Sequence, residues 1–263
     1  MKVFIIALCA MGFGLAASAQ TNMTLGASPV PVVGGGGATA AAIAKVPTTD
    51  PDNARYLKDG NLLASIGNEL NAFDSKPCDI IFIGGTNTAG WRGAGSGIWT
   101  KSYAPRHALN FGVTGDTIQN VLWRLNNMEI QNLKPKVAII LIGANNLDDS
   151  AHAIADGIQA ILANTQATFP GVKIILVSML PNEGAPDKVK QVNTIIRSFA
   201  DNSSDYFLDL HSLMPRVDET GSDGKSYSAA KGMSRDGASL NSAGYQIWAD
   251  AMEPMLAKLL AGG

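Results

Sequence analysis

The feature that most constrains this fold is a rhythm of short apolar runs separated by longer amphipathic segments. Ile80–Ile83, Ala108–Val113, Val137–Ile142, Ile174–Ser178 and Tyr206–Leu210 have the length of strands and lack the polar alternation of a half-exposed sheet, as expected of strands covered on both faces. Among them lie Thr117–Leu125, Ala151–Phe169, Lys188–Phe199 and Ala243–Leu260, with apolar residues at helical spacing. Strands alternating with helices predict a parallel sheet covered on both faces by helices. The economical reading is one three-layer domain over 52–263. Trp91–Tyr103 has room for a short helix, and Leu63, Ile66, Leu70 and Phe73 predict another after a cap at Asn53.

The residues before this domain read differently. Lys2 precedes an apolar run from Val3 to Leu15, and Ala17-Ser18-Ala19 is the small-residue pattern cut by signal peptidase. The run is too short to span a bilayer, so residues 1–19 are expected to be a signal peptide and the mature protein exported, to a periplasm or the medium. No membrane-spanning segment is expected after cleavage. Residues 20–51, with Pro29, Pro31 and the glycines 34–37, read as a low-complexity leader. Those glycines lack the Gly-Lys-Ser/Thr ending of a phosphate loop.

Loss of Cys9 on cleavage leaves Cys78 as the only cysteine, so no intramolecular disulfide is expected and Cys78 reads as a buried structural thiol. Apolar residues make up 46% of the chain, enough for a core, and a net charge of −2 with no basic cluster gives no reason to expect nucleic acid as a partner.

The chemistry-bearing residues cluster at strand ends, where ligands bind in open α/β sheets. The first strand runs into Gly84-Gly85-Thr86-Asn87, which would leave Thr86 at the lip of a crevice unless this is an ordinary strand-to-helix turn. The second ends in Asn110-Phe111-Gly112-Val113-Thr114-Gly115-Asp116-Thr117, followed by Val121-Leu122-Trp123-Arg124-Leu125. The third ends in Gly143-Ala144-Asn145-Asn146, and Arg235-Asp236-Gly237-Ala238-Ser239-Leu240-Asn241 precedes the last helix.

In these residues the chain resembles the SGNH, or GDSL, hydrolases, in the branch around the platelet-activating factor acetylhydrolase catalytic subunits. That resemblance covers most of 79–260 and implies a three-layer α/β/α sandwich with five parallel strands in the flavodoxin-like order 2-1-3-4-5. It also implies a Ser–His–Asp triad, with an oxyanion hole built from the nucleophile's own amide, a glycine amide and an asparagine side chain. By position, Gly115 and Asn145 are the oxyanion donors, Thr86 is at the nucleophile, Asp236 is the triad acid and Ser239 is at the base. Neither a cofactor nor a metal is expected. The implied ligand is a small acyl ester, such as an acetyl ester of a glycan or lipid; the oligomeric state is left open.

Two substitutions set this chain apart from the family pattern. Gly-Asp-Ser reads Gly84-Gly85-Thr86, and Asp-x-x-His reads Asp236-Gly237-Ala238-Ser239. A hydroxyl is a poor nucleophile without a positioned base, and a serine cannot take a proton usefully near neutral pH. Activity is therefore expected to be weak or lost. The alternative is a non-catalytic binding protein that holds an acylated sugar, a lipid or a carboxylate in the former oxyanion pocket. His211, after the fifth strand, and His152, after the third, are candidate substitute bases, whereas His107 falls at the opposite edge of the sheet. Asp116 is expected to fix its own turn through backbone amides, Trp91 and Trp123 to be core or cleft wall, and Ser96 to sit in a flexible loop. From another class, a flavodoxin-like cofactor binder would use Thr86–Gly90 as a phosphate-cradling turn.

Overall fold

The residues of β1 (Ile80–Gly84) are buried throughout, as a strand flanked by helices on both faces requires. The computed structural model describes residues 66, 67, 69, 70, 73, 77–128, 130–220, 226–234, 237 and 239–262. The expected signal peptide, the leader, the cap at Asn53 and Leu63 lie outside the described residues.

Beside β1 run β2 (Ala108–Gly112) and β3 (Val137–Leu141), and β4 (Lys173–Val177) and β5 (Asp205–Leu208) follow beyond β3. All five strands are parallel, in the order β2-β1-β3-β4-β5. The helices α1 (Ile118–Asn127), α2 (Ala151–Thr168), α3 (Pro186–Arg197) and α4 (Ser242–Leu260) match the four amphipathic segments. This is the α/β/α sandwich that the sequence implies, with every one of these element ends within two residues of expectation.

Alternation along the strands divides the interior into two cores. Ile81, Ile83, Leu109, Phe111, Ala138 and Ile140 pack with Val121 and Leu125 of α1, Ile154 and Ile158 of α2, and Val192 of α3. On the other face Ile80, Phe82, Val137, Ile139 and Leu141 meet Trp91, Tyr103 and the α4 residues Trp248, Met252 and Leu256. Phe82 lies edge-on to Trp91, Trp99, Tyr103 and Trp248, with ring centroids 5.0–6.3 Å apart. Trp91 is thus core, as its sequence context suggested, and Trp123 is a half-buried neighbour of the first core. Cys78 is buried, and burial pushes its thiol up to about 12, so it stays protonated and inert.

Two features correct the sequence expectation. Ser96 is not in a plain loop: it opens a helical turn (Ser96–Ile98) that continues into a π-helical turn (Trp99–Tyr103), burying Tyr103 against the sheet. An antiparallel hairpin, β6 (Arg216–Thr220) with β7 (Ser226–Ala230), lies outside the parallel sheet. Its segments are rich in polar and small residues, and a ribbon that does not enter the main sheet needs no continuous apolar run to announce it.

The last helix starts where Asn241 caps it, accepting from the Gly244 N–H at 3.0 Å. Its first turn is pressed against the chain: a Cβ on Gly244 would lie 2.1 Å from the Gly232 carbonyl oxygen. Gly244→Ala is therefore expected to cost at least about 2 kcal/mol by overpacking, read as a lowered urea midpoint. An unchanged midpoint would mean that α4 is not docked this way.

Candidate active site

The carboxyl ends of β1, β2 and β3 deliver three of the sequence motifs to one cleft. Thr86 opens a helical turn (Thr86–Ala89) straight after β1. Its Oγ1 accepts a hydrogen bond from the Gly115 N–H at 2.9 Å. Gly115 has φ +79°, a left-handed conformation that a glycine adopts without strain and that sets the direction of the turn after β2. From the third motif, Asn145 donates through Nδ2 to the Asp116 carbonyl at 2.8 Å. Asn146 Oδ1 accepts from the Ile118 N–H at 2.9 Å, tying the β3 end to the start of α1.

Beneath this lip lies an ion pair. Asp116 and Arg124 are both fully buried, joined by bonds of 2.9 Å from Nε and 2.7 Å from Nη2 to Asp116 Oδ2. The guanidinium also donates to the Phe111 carbonyl at 2.8 Å and the Gly84 carbonyl at 3.4 Å, and it stacks over the Phe111 ring at 4.4 Å. Beside the turn role expected of Asp116, its carboxylate pairs with an arginine from the next helix, because a carboxylate this deep requires a counter-charge.

The last motif reaches the same place through Asn87, which is buried. Its Oδ1 accepts from the Leu240 N–H at 2.8 Å, and its carbonyl accepts from the Tyr245 hydroxyl at 2.7 Å. Ser239 is thereby brought to the cleft, whose lining includes Gly85, Thr86, Asn87, Asn145 and Ser239. The lining also includes the apolar Ile142, Leu147, Met179 and Leu180, and the cleft volume is about 130 Å³. Asp236 lies outside the described residues.

Among the described residues no histidine lines this cleft. His107 pairs with Asp79 at 2.8 Å, at the amino-terminal edge of the sheet, as expected. His152 is exposed on the first turn of α2. The His211 backbone N–H donates to Ser178 Oγ at 2.8 Å. Burial holds its imidazole below the ordinary range, with Lys190 adding to that and Asp209 opposing it. The structure brings neither proposed substitute base to Thr86. Among the described residues there is no group of three or more His, Cys, Asp and Glu side chains that could hold a metal, and no helix long and apolar enough to cross a membrane.

The model of the GDSL-like Lipase/Acylhydrolase family matches residues 82–247, from β1 into α4. The chain belongs to this family. It is 39% identical over 124 residues to human platelet-activating factor acetylhydrolase IB subunit alpha2, a stretch covering 47% of this chain and 53% of the relative. To the rat alpha1 subunit it is 32% identical over 169 residues, covering 62% and 69% respectively. The chain thus spans about half the length of the alpha2 relatives it matches. A lipase/acylhydrolase from Enterococcus faecalis shares the fold at TM-score 0.52 and 18% identity, covering 68% of this chain and 95% of that one. A carbohydrate esterase family 3 protein from Talaromyces cellulolyticus does so at TM-score 0.51 and 18% identity, covering 70% and 99%.

Sequence reasoning did not assign Arg124, Asn87, Asn146 or Tyr245 a place in the site. Arg124 carried a readable signal: it falls three residues after Val121, on the apolar stripe of an amphipathic helix where a charge needs a partner. Arg124→Met should strand the Asp116 carboxylate and lower stability by about 3–5 kcal/mol, and Arg124→Met with Asp116→Leu should recover most of it. Urea unfolding of both variants checks this. A single variant within about 1 kcal/mol of the parent would show that the pair does not hold the turn.

Proposed function

We propose that this GDSL-family protein binds an acetyl or short acyl ester of a glycan or lipid in the cleft at Thr86 and hydrolyses it weakly or not at all. The observation that carries the reading is the pairing at the lip. The Gly115 N–H donates to the Thr86 hydroxyl, Asn145 Nδ2 donates to the adjacent Asp116 carbonyl on the same cleft, and no imidazole lines the cleft among the described residues. Two amide donors set at the end of the sheet suit a carbonyl oxygen, and such donors are worth about 3 kcal/mol each when an oxyanion develops.

Attack is the missing half. The Thr86 hydroxyl accepts from Gly115, so a lone pair is engaged, and among the described residues no imidazole lines the cleft to take the proton. Ser239 stands at the position of the family's base. In a hydrolase whose nucleophile or base is removed, roughly 10⁶ in rate is lost, leaving about 10³–10⁴ over water from oxyanion stabilisation and binding. Membership of the GDSL-like family and the Gly115 and Asn145 donors favour an acyl-binding cleft over a flavodoxin-like cofactor site at Thr86–Gly90.

We extend the proposal to place. The basic start, apolar run and Ala17-Ser18-Ala19 support export, with a mature chain beginning at Gln20. Mass spectrometry of the protein recovered from its producing cells should find that terminus; a chain retaining Met1–Ala19 would contradict it.

The activity test compares the mature protein with Thr86→Ala on 4-nitrophenyl acetate. Both are expected within about threefold of each other and far below a working esterase. A parent rate on the order of 10³ above Thr86→Ala would show that Thr86 attacks and would overturn the reading.

A further inference from the structure

We infer that the cleft selects a neutral acyl group, accepting a secondary acetamide as readily as an acetate ester and rejecting a free carboxylate. This rests on the proposed reading of the cleft as an acyl-binding site and goes on to what it discriminates.

The first ground is charge. Among the described residues that line the cleft, Asp116 is the one ionisable side chain, and its carboxylate is buried against Arg124. That pair carries no net charge, and no other described lining residue is ionisable. Lys188 does not line the cleft, and its ammonium donates to the Leu147 carbonyl at 2.5 Å. Where the family pattern has an imidazole, able to become a cation, Ser239 offers a hydroxyl. A carboxylate entering beside Ile142, Leu147, Met179 and Leu180 would lose water with no cation among the described lining residues to pair with, since the Lys188 ammonium is engaged by the Leu147 carbonyl, and this is unfavourable. A neutral carbonyl loses far less and can take the Gly115 N–H in place of the Thr86 hydroxyl.

The second ground is what remains once attack is lost. A hydrolase tells esters from amides chiefly by how readily the leaving group departs during reaction. A site that only binds reads the ground state, and there an amide oxygen is at least as good an acceptor as an ester oxygen. The additional amide N–H needs an acceptor, and the hydroxyls of Thr86 and Ser239 belong to a residue type that both donates and accepts. The cleft, with a volume of about 130 Å³ and apolar residues in its lining, has room for a whole acetyl group.

The test follows the Gly115 backbone amide resonance by NMR while methyl acetate, N-methylacetamide or sodium acetate is titrated into the mature protein at pH 7. Methyl acetate and N-methylacetamide are expected to shift it saturably, with dissociation constants within about threefold, and acetate to bind at least about 10-fold more weakly. In Ser239→His at pH 5.5, acetate should gain at least about 10-fold, because an imidazolium now faces it. Acetate binding as tightly as the ester, or an ester that binds while the amide does not, would overturn the inference and leave the acyl-binding reading standing. If none of the three probes shifts Gly115, the acyl-binding reading itself fails. The comparison in the parent protein decides the matter should Ser239→His not fold.

Discussion

The buried ion pair between Asp116 and Arg124 is the interaction on which the cleft depends. Removing two charges from water costs several kcal/mol per ion, and an isolated pair seldom recovers it. Here the guanidinium is also shared with the Phe111 and Gly84 carbonyls and the Phe111 ring. These contacts join the ends of β1 and β2 to α1, so the turn carrying Gly115 is fixed to the strand that delivers Thr86. The carbonyl of Asp116, in turn, receives Asn145. One residue thus links the β2 turn to α1 through its carboxylate and to the β3 end through its backbone.

That arrangement would let a cleft persist if its chemistry were withdrawn, as the proposed reading requires. Nothing in the network around Asp116, Arg124, Asn145 and Asn146 uses a nucleophile or a base. Asn87 holds the last motif through its own side chain and carbonyl, again without recourse to the side chain at 86 or 239. Scaffold and reactive groups are separate sets of residues, so under the proposed reading loss of the second need not disturb the first.

Much of the fold was legible because burial imposes a simple pattern. Runs such as Ile80–Ile83 and Val137–Ile142 have the length and composition of strands covered on both faces. Helix α1 was read from the apolar spacing of Thr117–Leu125, its start being fixed in the structure by the capping box of Thr117 with Asn120. The hairpin at 216–230 was not legible, since a ribbon outside the sheet leaves no periodic trace. In the site, Thr86, Gly115, Asn145 and Ser239 were found from their motifs; the structure brings Thr86, Asn145 and Ser239 to one cleft, with Gly115 bonded to Thr86 at its lip. What sequence could not show was the direction of the bonds: that Gly115 donates to Thr86, that Asp116 looks down to Arg124, and that Asn87 reaches Leu240. Those follow from which groups are left inside once the layers close.

If the scaffold is intact and only nucleophile and base are missing, supplying both should restore turnover. Gly85 is best left alone, because a Cβ there would stand 3.1 Å from the Asp116 carbonyl oxygen, crowding the bond that holds Asn145. The most direct measurement is therefore the rate of 4-nitrophenyl acetate hydrolysis by the double variant Thr86→Ser with Ser239→His. A rise on the order of 10³ over the parent is expected. A double variant that keeps the parent's thermal midpoint and far-ultraviolet spectrum yet hydrolyses no faster would contradict a preserved acyl-binding site.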